Sequence, residues 1–443
     1  MPIEPKITNR ATDLEYFVKD AICRATRAGI FGPDSHGRTA LENYVVLGYG
    51  VADPHFSEAH PPVPNWREFA ILMTRFPLVV GIGDYEVYDA VLDAEDETAE
   101  CARVIAATQY FKDCLCNPDI PQVVPDLAGR EMVAAMGREY QDIVRCHGLR
   151  AHPEALDDWR KNLIALLEGM ERYRCRPRRT FPVEIVNSIA IGSTDIPAAM
   201  RSITQRYEYT MPGAVARYLP KLMASPDPDD RDRLLLLLRT AEEGCTIGAG
   251  PWLKCLQLHA PPQEVTATRL RLLHEVACLS CYRTRIGNDL SDFTTIKSDT
   301  PRDTFTGERI WHYVLSDSAG PNVTPHDLPP DTVGHVMQCC LQTEEWLGRA
   351  LADSLRELWR SWPWAGAAAA RLSHAGHRPY DDLWHYDFLS RSQFLEILNE
   401  FDRTFEIPFL ARSHPEWDGK ISDTGNSTSV LRAAAFRTTR KEG

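Results

Sequence analysis

The sequence predicts an all-α protein, and two observations carry this prediction. Apolar residues recur every three to four residues over long stretches, which is the spacing of one face of a helix. Strand signals are scarce, because no stretch alternates apolar and polar residues at length and no Asn-Gly or Asp-Gly turn joins two β-rich runs. Helices packed on helices are therefore the expected architecture.

The predicted helices are separated by stretches that carry proline and glycine. The first, near 12–28, lies in a part of the chain rich in Pro, Gly and His. The second extends nearly throughout 66–116, with Pro77 and the Gly81/Gly83 pair as punctuation. Further helices are predicted over 131–174, 197–222, 231–243, 266–285, 332–360 and 390–412.

Three regions are expected along the 443 residues. Residues 1–60 form an N-terminal segment, 61–415 a single α-helical domain, and 416–443 a polar, flexible tail. Hydrophobic residues make up 44% of the chain, so the central region can bury a sizeable core.

Composition argues against several classes of protein. The net charge of −13 disfavours a nucleic-acid partner, because a phosphate backbone requires a basic surface. The N-terminus has no apolar signal segment, and no stretch reaches the roughly 20 apolar residues of a membrane span. The twelve cysteines show no zinc or disulfide spacing, and the CxxC residues Cys278 and Cys281 are expected in the core. Scattered free thiols favour a reducing cytoplasm.

The stretch Ile286–Asp299 (IGNDLSDFTTIKSD) concentrates oxygen-bearing side chains. Counted from Asn288, they recur after 4, 7 and 11 positions, at Asp292, Thr295 and Asp299. On a helix these positions share one face. Such a face suits a hard cation such as Mg²⁺, which binds carboxylate, amide and hydroxyl oxygens and is usually shared with substrate phosphates. The alternative is a helix that ends before the stretch, followed by a solvated acidic loop.

A second acidic stretch, DYEVYDAVLDAEDETAE, lies within the predicted helix 66–116. Asp89, Asp93 and Glu97 recur every four residues and stack on one face, with Asp96 beside them. Like charges at this spacing destabilise an isolated helix, yet no Lys or Arg interrupts the pattern. Two separated acidic helices with metal-ligand spacing favour metal binding more strongly than one does, whereas the alternative is a solvated helix face.

This pair of stretches resembles the class I terpene synthases. In that family an aspartate-rich helix (DDxxD/E) faces an NSE-type helix (NDxxSxxxE) across an all-α barrel. Asp93 and Glu97 match the outer acidic positions of the first motif, and Ala94 stands where a second Asp is usual. The second motif begins with Asn288 and Asp289, as the family's does.

The second motif then departs from the family pattern. Asp292 stands where Ser or Thr is usual and Ile296 where Glu is usual, while Asp299 lies three residues later on the same face and is expected to substitute. The resemblance implies three Mg²⁺ ions held by Asp93, Asp96, Glu97, Asn288, Asp289, Asp292 and Asp299.

Two further features agree with the resemblance, which covers roughly residues 60–385. Arg239 ends a helical run 49 residues before Asn288 (288 − 239), precedes a glycine-bearing break, and resembles the family's diphosphate-sensing arginine. Arg378 and Tyr380, in HRPYDD, are similar to the family's C-terminal Arg-Tyr pair. A guanidinium group suits this role because it binds phosphate oxygens bidentately and keeps its charge.

The resemblance implies an α-helical terpenoid synthase barrel or bundle that ionises an allylic prenyl diphosphate, cyclises the carbocation and releases pyrophosphate. The chain length favours a C20 substrate, geranylgeranyl or copalyl diphosphate, and a sesquiterpene synthase that uses farnesyl diphosphate is the alternative. No nucleic-acid or membrane partner is expected, and a homodimer is compatible with the sequence. Aromatic faces can steady a carbocation. The candidates, each also an ordinary core residue by sequence, are Phe69, Phe76, Tyr85, Tyr88, Trp252, Trp311 and Trp346.

Three other interpretations compete with this one. The segment 227–230 (DPDD) matches the DxDD acid of a class II cyclase, but a polar turn that opens a helix explains it better, since Asp is a good N-cap. A chain-elongating prenyltransferase would carry two intact DDxxD motifs. A non-catalytic α-helical scaffold with decayed motifs is supported by the missing second Asp and the missing Glu.

Overall fold

The computed structural model describes residues 10–27, 36–52, 63–81, 97–127, 129–175, 195–242, 248–294, 330–381 and 393. Within these ranges the chain forms α-helices and two 3₁₀ turns, Gly148–Arg150 and Pro262–Glu264, and no strand, which confirms the predicted all-α class. The helices are α1 (Arg10–Arg27), α2 (His36–Ala52), α3 (Trp66–Gly81), α4 (Glu97–Cys116), α5 (Arg130–Cys146), α6 (Pro153–Cys175), α7 (Ile196–Arg206), α8 (Gly213–Ala224), α9 (Pro228–Glu242), α10 (Ala249–His259), α11 (Ala267–Thr294), α12 (Pro330–Ser361) and α13 (Pro363–Asp381).

Several helix boundaries differ from those predicted. The stretch 131–174 divides into α5 and α6, and 197–222 divides into α7 and α8, because Pro153 and Pro212 begin or precede a new helix and cannot continue the old one. Pro77, by contrast, lies inside the continuous helix α3. The predicted helix 390–412 falls outside the described residues, apart from residue 393.

Three observed helices, α2, α10 and α13, were not predicted. Helix α10 is buried all round and so offers no polar face to produce a helical period. Helix α13 is rich in alanine, which gives little contrast between its faces. Helix α2 lies in the first part of the chain, where the high content of proline and glycine argues against a helix.

Helix α10 lies among α3, α6, α11 and α13 and packs against each of them. All residues of 250–258 are buried. Two indole N–H groups attach it to its neighbours: Trp159 donates to the carbonyl oxygen of Pro251, and Trp252 donates to that of Met73, each at 3.1 Å. Because a buried N–H without an acceptor costs about 1–3 kcal/mol, these bonds favour a single orientation of α10.

A polar contact joins α10 to α6. The Lys254 side chain is fully buried, and its Nζ donates to Oδ2 of Asp158 at 2.8 Å. Gln257 Nε2 donates to the same oxygen at 2.8 Å and to the carbonyl oxygen of Ala155 at 2.6 Å. A buried ammonium group requires such a partner, so this contact fixes the register of the two helices.

Helices α1 and α2 belong to the same hydrophobic core as the rest of the described helices. Helix α2 packs on α1, α3 and α13, and Arg371 of α13 donates to the carbonyl oxygen of Val51 at 3.2 Å. At Gly48 a Cβ atom would lie 2.3 Å from the carbonyl oxygen of Met73, so the approach of α2 to α3 requires glycine. The expected boundary at residue 60 lies outside the described residues.

The corner between α12 and α13 is fixed by one carboxylate. Nε1 of Trp362 and Nε1 of Trp364 both donate to Oε2 of Glu264 at 2.8 Å. Arg269 donates to the carbonyl oxygen of Ser361 at 2.9 Å. These bonds attach the corner to the 3₁₀ turn that precedes α11.

None of the helices within the described ranges combines the length and apolar composition needed to cross a membrane. The eleven cysteines of the same ranges are free thiols. Cys278 and Cys281 are fully buried on α11, which confirms their predicted place in the core.

Candidate functional site

Helix α11 continues through the predicted second metal motif. It ends at Thr294, beyond the predicted end at 285, so Asn288, Asp289 and Asp292 all have helical backbone. The interpretation in which the helix ends before the motif is wrong. The physical reason is that Ile286 and Leu290, one turn apart, are buried and keep this part of the helix on the core.

Of the predicted metal ligands in this motif, the structure describes the side chain of one. Asn288 is half-buried, and the side chains of Asp289 and Asp292 lie outside the described residues, as does Asp299 altogether. In the first motif, Glu97 is the first residue of α4, with its side chain outside the description, and Asp93 and Asp96 fall outside it entirely.

Arg239 lies three residues before the end of α9, and its side chain is only 2% exposed. The chain between Glu242 and Gly248 lies outside the description, and Gly248 has φ 71°, a left-handed value that favours glycine. The predicted helix break after Arg239 is therefore present. Helix α9 packs against both α11 and α12, so this arginine and Asn288 lie on contacting helices.

Arg378 and Tyr380 both have helical backbone in the last turn of α13. The Arg378 side chain is half-buried, and that of Tyr380 lies outside the described residues. Helix α13 packs against α11 and α12. The predicted residues whose side chains the structure describes, Arg239, Asn288 and Arg378, are thus carried by α9, α11 and α13, each of which contacts α12.

A buried ion-pair cluster joins three of these helices. Nε2 of His377 on α13 lies 2.7 Å from Oε1 of Glu344 on α12, and Nε of Arg283 on α11 lies 3.9 Å from the same oxygen. His377 is 1% and Glu344 6% exposed. The cluster lies close to the predicted site along the chain, since His377 precedes Arg378 and Asn288 follows Arg283 by five residues.

Sequence analysis did not identify Glu344 or His377. The signal that could have identified Glu344 is its position on the buried face of α12. It lies four residues after the buried Cys340 and three before the buried Leu347, whereas Glu345 lies off that face. The contact of Glu344 with His377 spans 33 residues and has no signature in the sequence.

The segment that matches a class II acid has a structural role. The backbone N–H of Asp229 donates to Oδ1 of Asp227 at 3.0 Å, which is the bond of a helix N-cap at the start of α9. Asp230 pairs with Arg233 at 3.1 Å on the same helix. These contacts support the capping interpretation.

The contact of α9 with α12 is polar at its exposed end. His335 Nε2 lies 2.8 Å from Oδ2 of Asp232, and Arg233 donates to Gln342. Burial, with a smaller contribution from Asp232, raises the pKa of the Cys339 thiol to about 12. This cysteine is therefore a neutral core group at physiological pH.

The aromatic candidates within the described residues take part in core packing. Phe69 packs against His259 with ring centroids 4.9 Å apart. Trp346 of α12 stacks on Tyr218 of α8 at 4.5 Å and is the candidate carried by a helix that also carries Glu344. Phe76 contacts Trp159 and Trp252 contacts Tyr44, while Tyr85, Tyr88 and Trp311 lie outside the description.

A cavity of about 350 Å³ lies elsewhere, between α1 and α3. Its lining includes Tyr16, Phe17, Trp66 and Ile71 beside Arg24 and Arg75, and includes no residue of α9, α11, α12 or α13. Arg75 pairs there with Glu139 at 2.7 Å, so its charge is already compensated. This cavity is distinct from the predicted site.

Among the described side chains, no group of three or more His, Cys, Asp and Glu is placed to hold a metal ion. Amide and carboxylate oxygens, the predicted donor set, are the ligands that Mg²⁺ prefers, and Asn288 and Asp292 lie one helical turn apart in α11. The donor chemistry therefore fits the ion.

Comparison of the chain with known proteins gives no match to a protein-family model, to a curated protein or to a solved structure.

Proposed function

We propose that the chain is a cytoplasmic, Mg²⁺-dependent class I terpene synthase, a carbon–oxygen lyase that ionises an allylic prenyl diphosphate, cyclises the carbocation and releases pyrophosphate. A C20 substrate, geranylgeranyl or copalyl diphosphate, is favoured. One observation carries the proposal: Arg239, Asn288 and Arg378, in the chain order of the family, lie on three helices that all pack against α12.

The environment of Arg239 supports a role in binding phosphate. The Arg239 side chain is almost fully buried, and it lies just before a helix break on a helix that contacts the one carrying Asn288. A guanidinium in such a place presents fixed donors to phosphate oxygens. Arg239 would bind the diphosphate from α9, and Arg378 and Tyr380 would bind it from α13.

The metal ligands would come from two helices. Asn288, Asp289, Asp292 and Asp299 would bind Mg²⁺ from α11 and the residues after it, and Asp93, Asp96 and Glu97 from the start of α4 and the residues before it. When bound, the ions supply positive charge that stabilises the leaving pyrophosphate. The protein side chains hold the diphosphate in place and exclude water, which would quench a carbocation.

Turnover assays test the proposal. The purified chain is incubated with geranyl, farnesyl, geranylgeranyl and copalyl diphosphates, with Mg²⁺ or with a chelator, and hydrocarbon and pyrophosphate are measured. We expect a Mg²⁺-dependent cyclic product from a C20 substrate, and its loss in Asp93→Ala and Asn288→Ala. Product from farnesyl diphosphate alone would identify a sesquiterpene synthase.

A matched pair of arginine variants tests the site on α9. Arg239→Lys keeps the charge but loses the bidentate fork, so we expect kcat/KM to fall by about 10²-fold or more. Arg231→Lys, the same change at an exposed position of the same helix, should leave kcat/KM within about twofold. If no substrate is turned over and pyrophosphate is never released, the proposal is wrong and the interpretation of the chain as a non-catalytic scaffold is favoured.

A further inference from the structure

Two cysteines meet where α4 begins and α6 ends. Cys101 is in the second turn of α4, and Cys175 is the last residue of α6. The thiol of Cys175 donates to the carbonyl oxygen of Cys101 at 3.5 Å. The two helices pack side by side and are joined again by Lys112 and Glu168 at 2.7 Å.

The surroundings of this pair differ from those of the core cysteines. Cys101 and Cys175 are both half-buried, so a small oxidant can reach them, whereas Cys278 and Cys281 are fully buried. The carboxylates of Glu100 and Glu171 are close enough to act on Cys175. These four groups do not form a metal site, since the described side chains contain no set of three such ligands suitably placed.

We propose that Cys101 and Cys175 form a reversible disulfide when the protein meets a peroxide, which cross-links the start of α4 to the end of α6. The inference goes beyond the proposed function and stands independently of it. Because the Cys175 thiol already contacts the backbone of Cys101 across two packed helices, rotation of the two side chains can bring the sulfur atoms to the S–S bond length of about 2.0 Å.

The chemistry balances with hydrogen peroxide as the oxidant. The Cys101 thiolate attacks one peroxide oxygen, the O–O bond breaks, and the released hydroxide takes up a proton to give water and a sulfenic acid on Cys101. The sulfur of Cys175 then attacks the Cys101 sulfur, the S–O bond breaks and a second water leaves. Two thiols and one peroxide thus give one disulfide and two waters, and an external dithiol reverses the reaction.

The order of attack follows from the environment of Cys175. The Cys175 thiol donates its proton to the carbonyl oxygen of Cys101 at 3.5 Å, and burial raises its pKa. A thiol held in its protonated form is the poorer first nucleophile, so Cys175 acts as the resolving cysteine. The disulfide would attach the first turns of α4 to α6. Glu97, the first residue of α4, lies one turn before Cys101.

Peptide mapping of the full-length chain tests the inference. The reduced protein is treated with hydrogen peroxide, digested without reductant and analysed by mass spectrometry. We expect a linked pair of peptides carrying Cys101 and Cys175, two hydrogens lighter than their sum and separated by dithiothreitol, and a rise in Tm of about 2–5 °C. If neither cysteine appears in a linked peptide while helix content is unchanged, the inference is wrong.

Serine variants test the pairing and its order. Cys101→Ser and Cys175→Ser should each abolish the linked peptide, whereas Cys116→Ser, on the same helix but exposed, should leave its yield unchanged. In Cys175→Ser we expect a trapped sulfenic acid on Cys101, detected by dimedone. A linked peptide that persists in either single variant, or a dimedone adduct on Cys175 in place of Cys101, would contradict the assignment.

Discussion

His377 and Glu344 share a hydrogen bond of 2.7 Å between α13 and α12, and both side chains are almost fully buried. Arg283 approaches the same carboxylate oxygen from α11 at 3.9 Å. One glutamate therefore joins the helices that carry the predicted Asn288 and Arg378. We infer that it positions the last turn of α13 relative to α11.

Replacement of Glu344 tests this role. Glu344→Gln keeps the shape but removes the negative charge that faces Arg283 and His377, so we expect the free energy of unfolding to fall by about 2–4 kcal/mol in urea titrations. The control is Glu345→Gln, which breaks only an i,i+4 pair with Arg349 and should cost at most about 0.5 kcal/mol. Equal losses in the two variants would contradict the positioning role.

His147 makes stability depend on pH. Burial, with Arg75 and His259 nearby, lowers its pKa to about 4, so it stays neutral in the folded protein. Between pH 6.5 and 4 the unfolded chain binds a proton there that the folded chain does not. Its contribution is therefore present above pH 6.5 and lost as pH falls towards 4, by roughly 3 kcal/mol or less.

The measurement is the free energy of unfolding at several pH values between 7.5 and 4. In His147→Gln we expect a shallower decline on acidification than in the unmodified chain, because the titrating group is gone while the carboxylates still titrate. Parallel pH profiles in the two proteins would show that His147 has no part in the pH dependence.

Gly48 sets how closely α2 approaches α3. A Cβ atom there would lie 2.3 Å from the carbonyl oxygen of Met73, which also accepts the indole N–H of Trp252. Because backbone atoms cannot move aside cheaply, we expect Gly48→Ala to lower stability by about 1–3 kcal/mol in thermal or urea unfolding. Gly334→Ala, in α12 with nothing within 4 Å, should instead gain up to about 1 kcal/mol.

Glu264 satisfies two buried indoles. Glu264→Ala would leave Nε1 of Trp362 and Nε1 of Trp364 without this acceptor, so we expect a loss of about 2–4 kcal/mol and altered tryptophan fluorescence in the folded state. The matched change Glu357→Ala, at an exposed position of α12, should lower the free energy of unfolding by at most about 0.5 kcal/mol and leave the tryptophan fluorescence unchanged.

The sequence predicted the helical class because most helices keep one polar face, and it predicted the break after Arg239. It placed a possible interruption at Pro77, through which α3 in fact continues. It did not predict α10, since a helix buried on every side shows no period. The extension of α11 to Thr294 was one of two alternatives, and the burial of Ile286 and Leu290 decides between them.

The candidate site was predictable only where residue type and spacing carry the signal. Arg239 and Asn288 were predicted as site residues in this way. Glu344 was not, because its neighbour Glu345 has the same chemistry and the two differ only in which face of α12 they occupy. The contact with His377 arises from folding in three dimensions and has no local sequence pattern.

The burial of α10 has a consequence for biosynthesis. Trp252 bonds to Met73, 179 residues earlier in the chain, whereas α13, which also covers α10, begins only at Pro363. During translation the apolar α10 therefore leaves the ribosome before one of its covering helices exists, and an isolated helix of 11 residues is marginally stable. The nascent chain must carry this segment uncovered, or held by a chaperone, until α13 has been synthesised and the core can close.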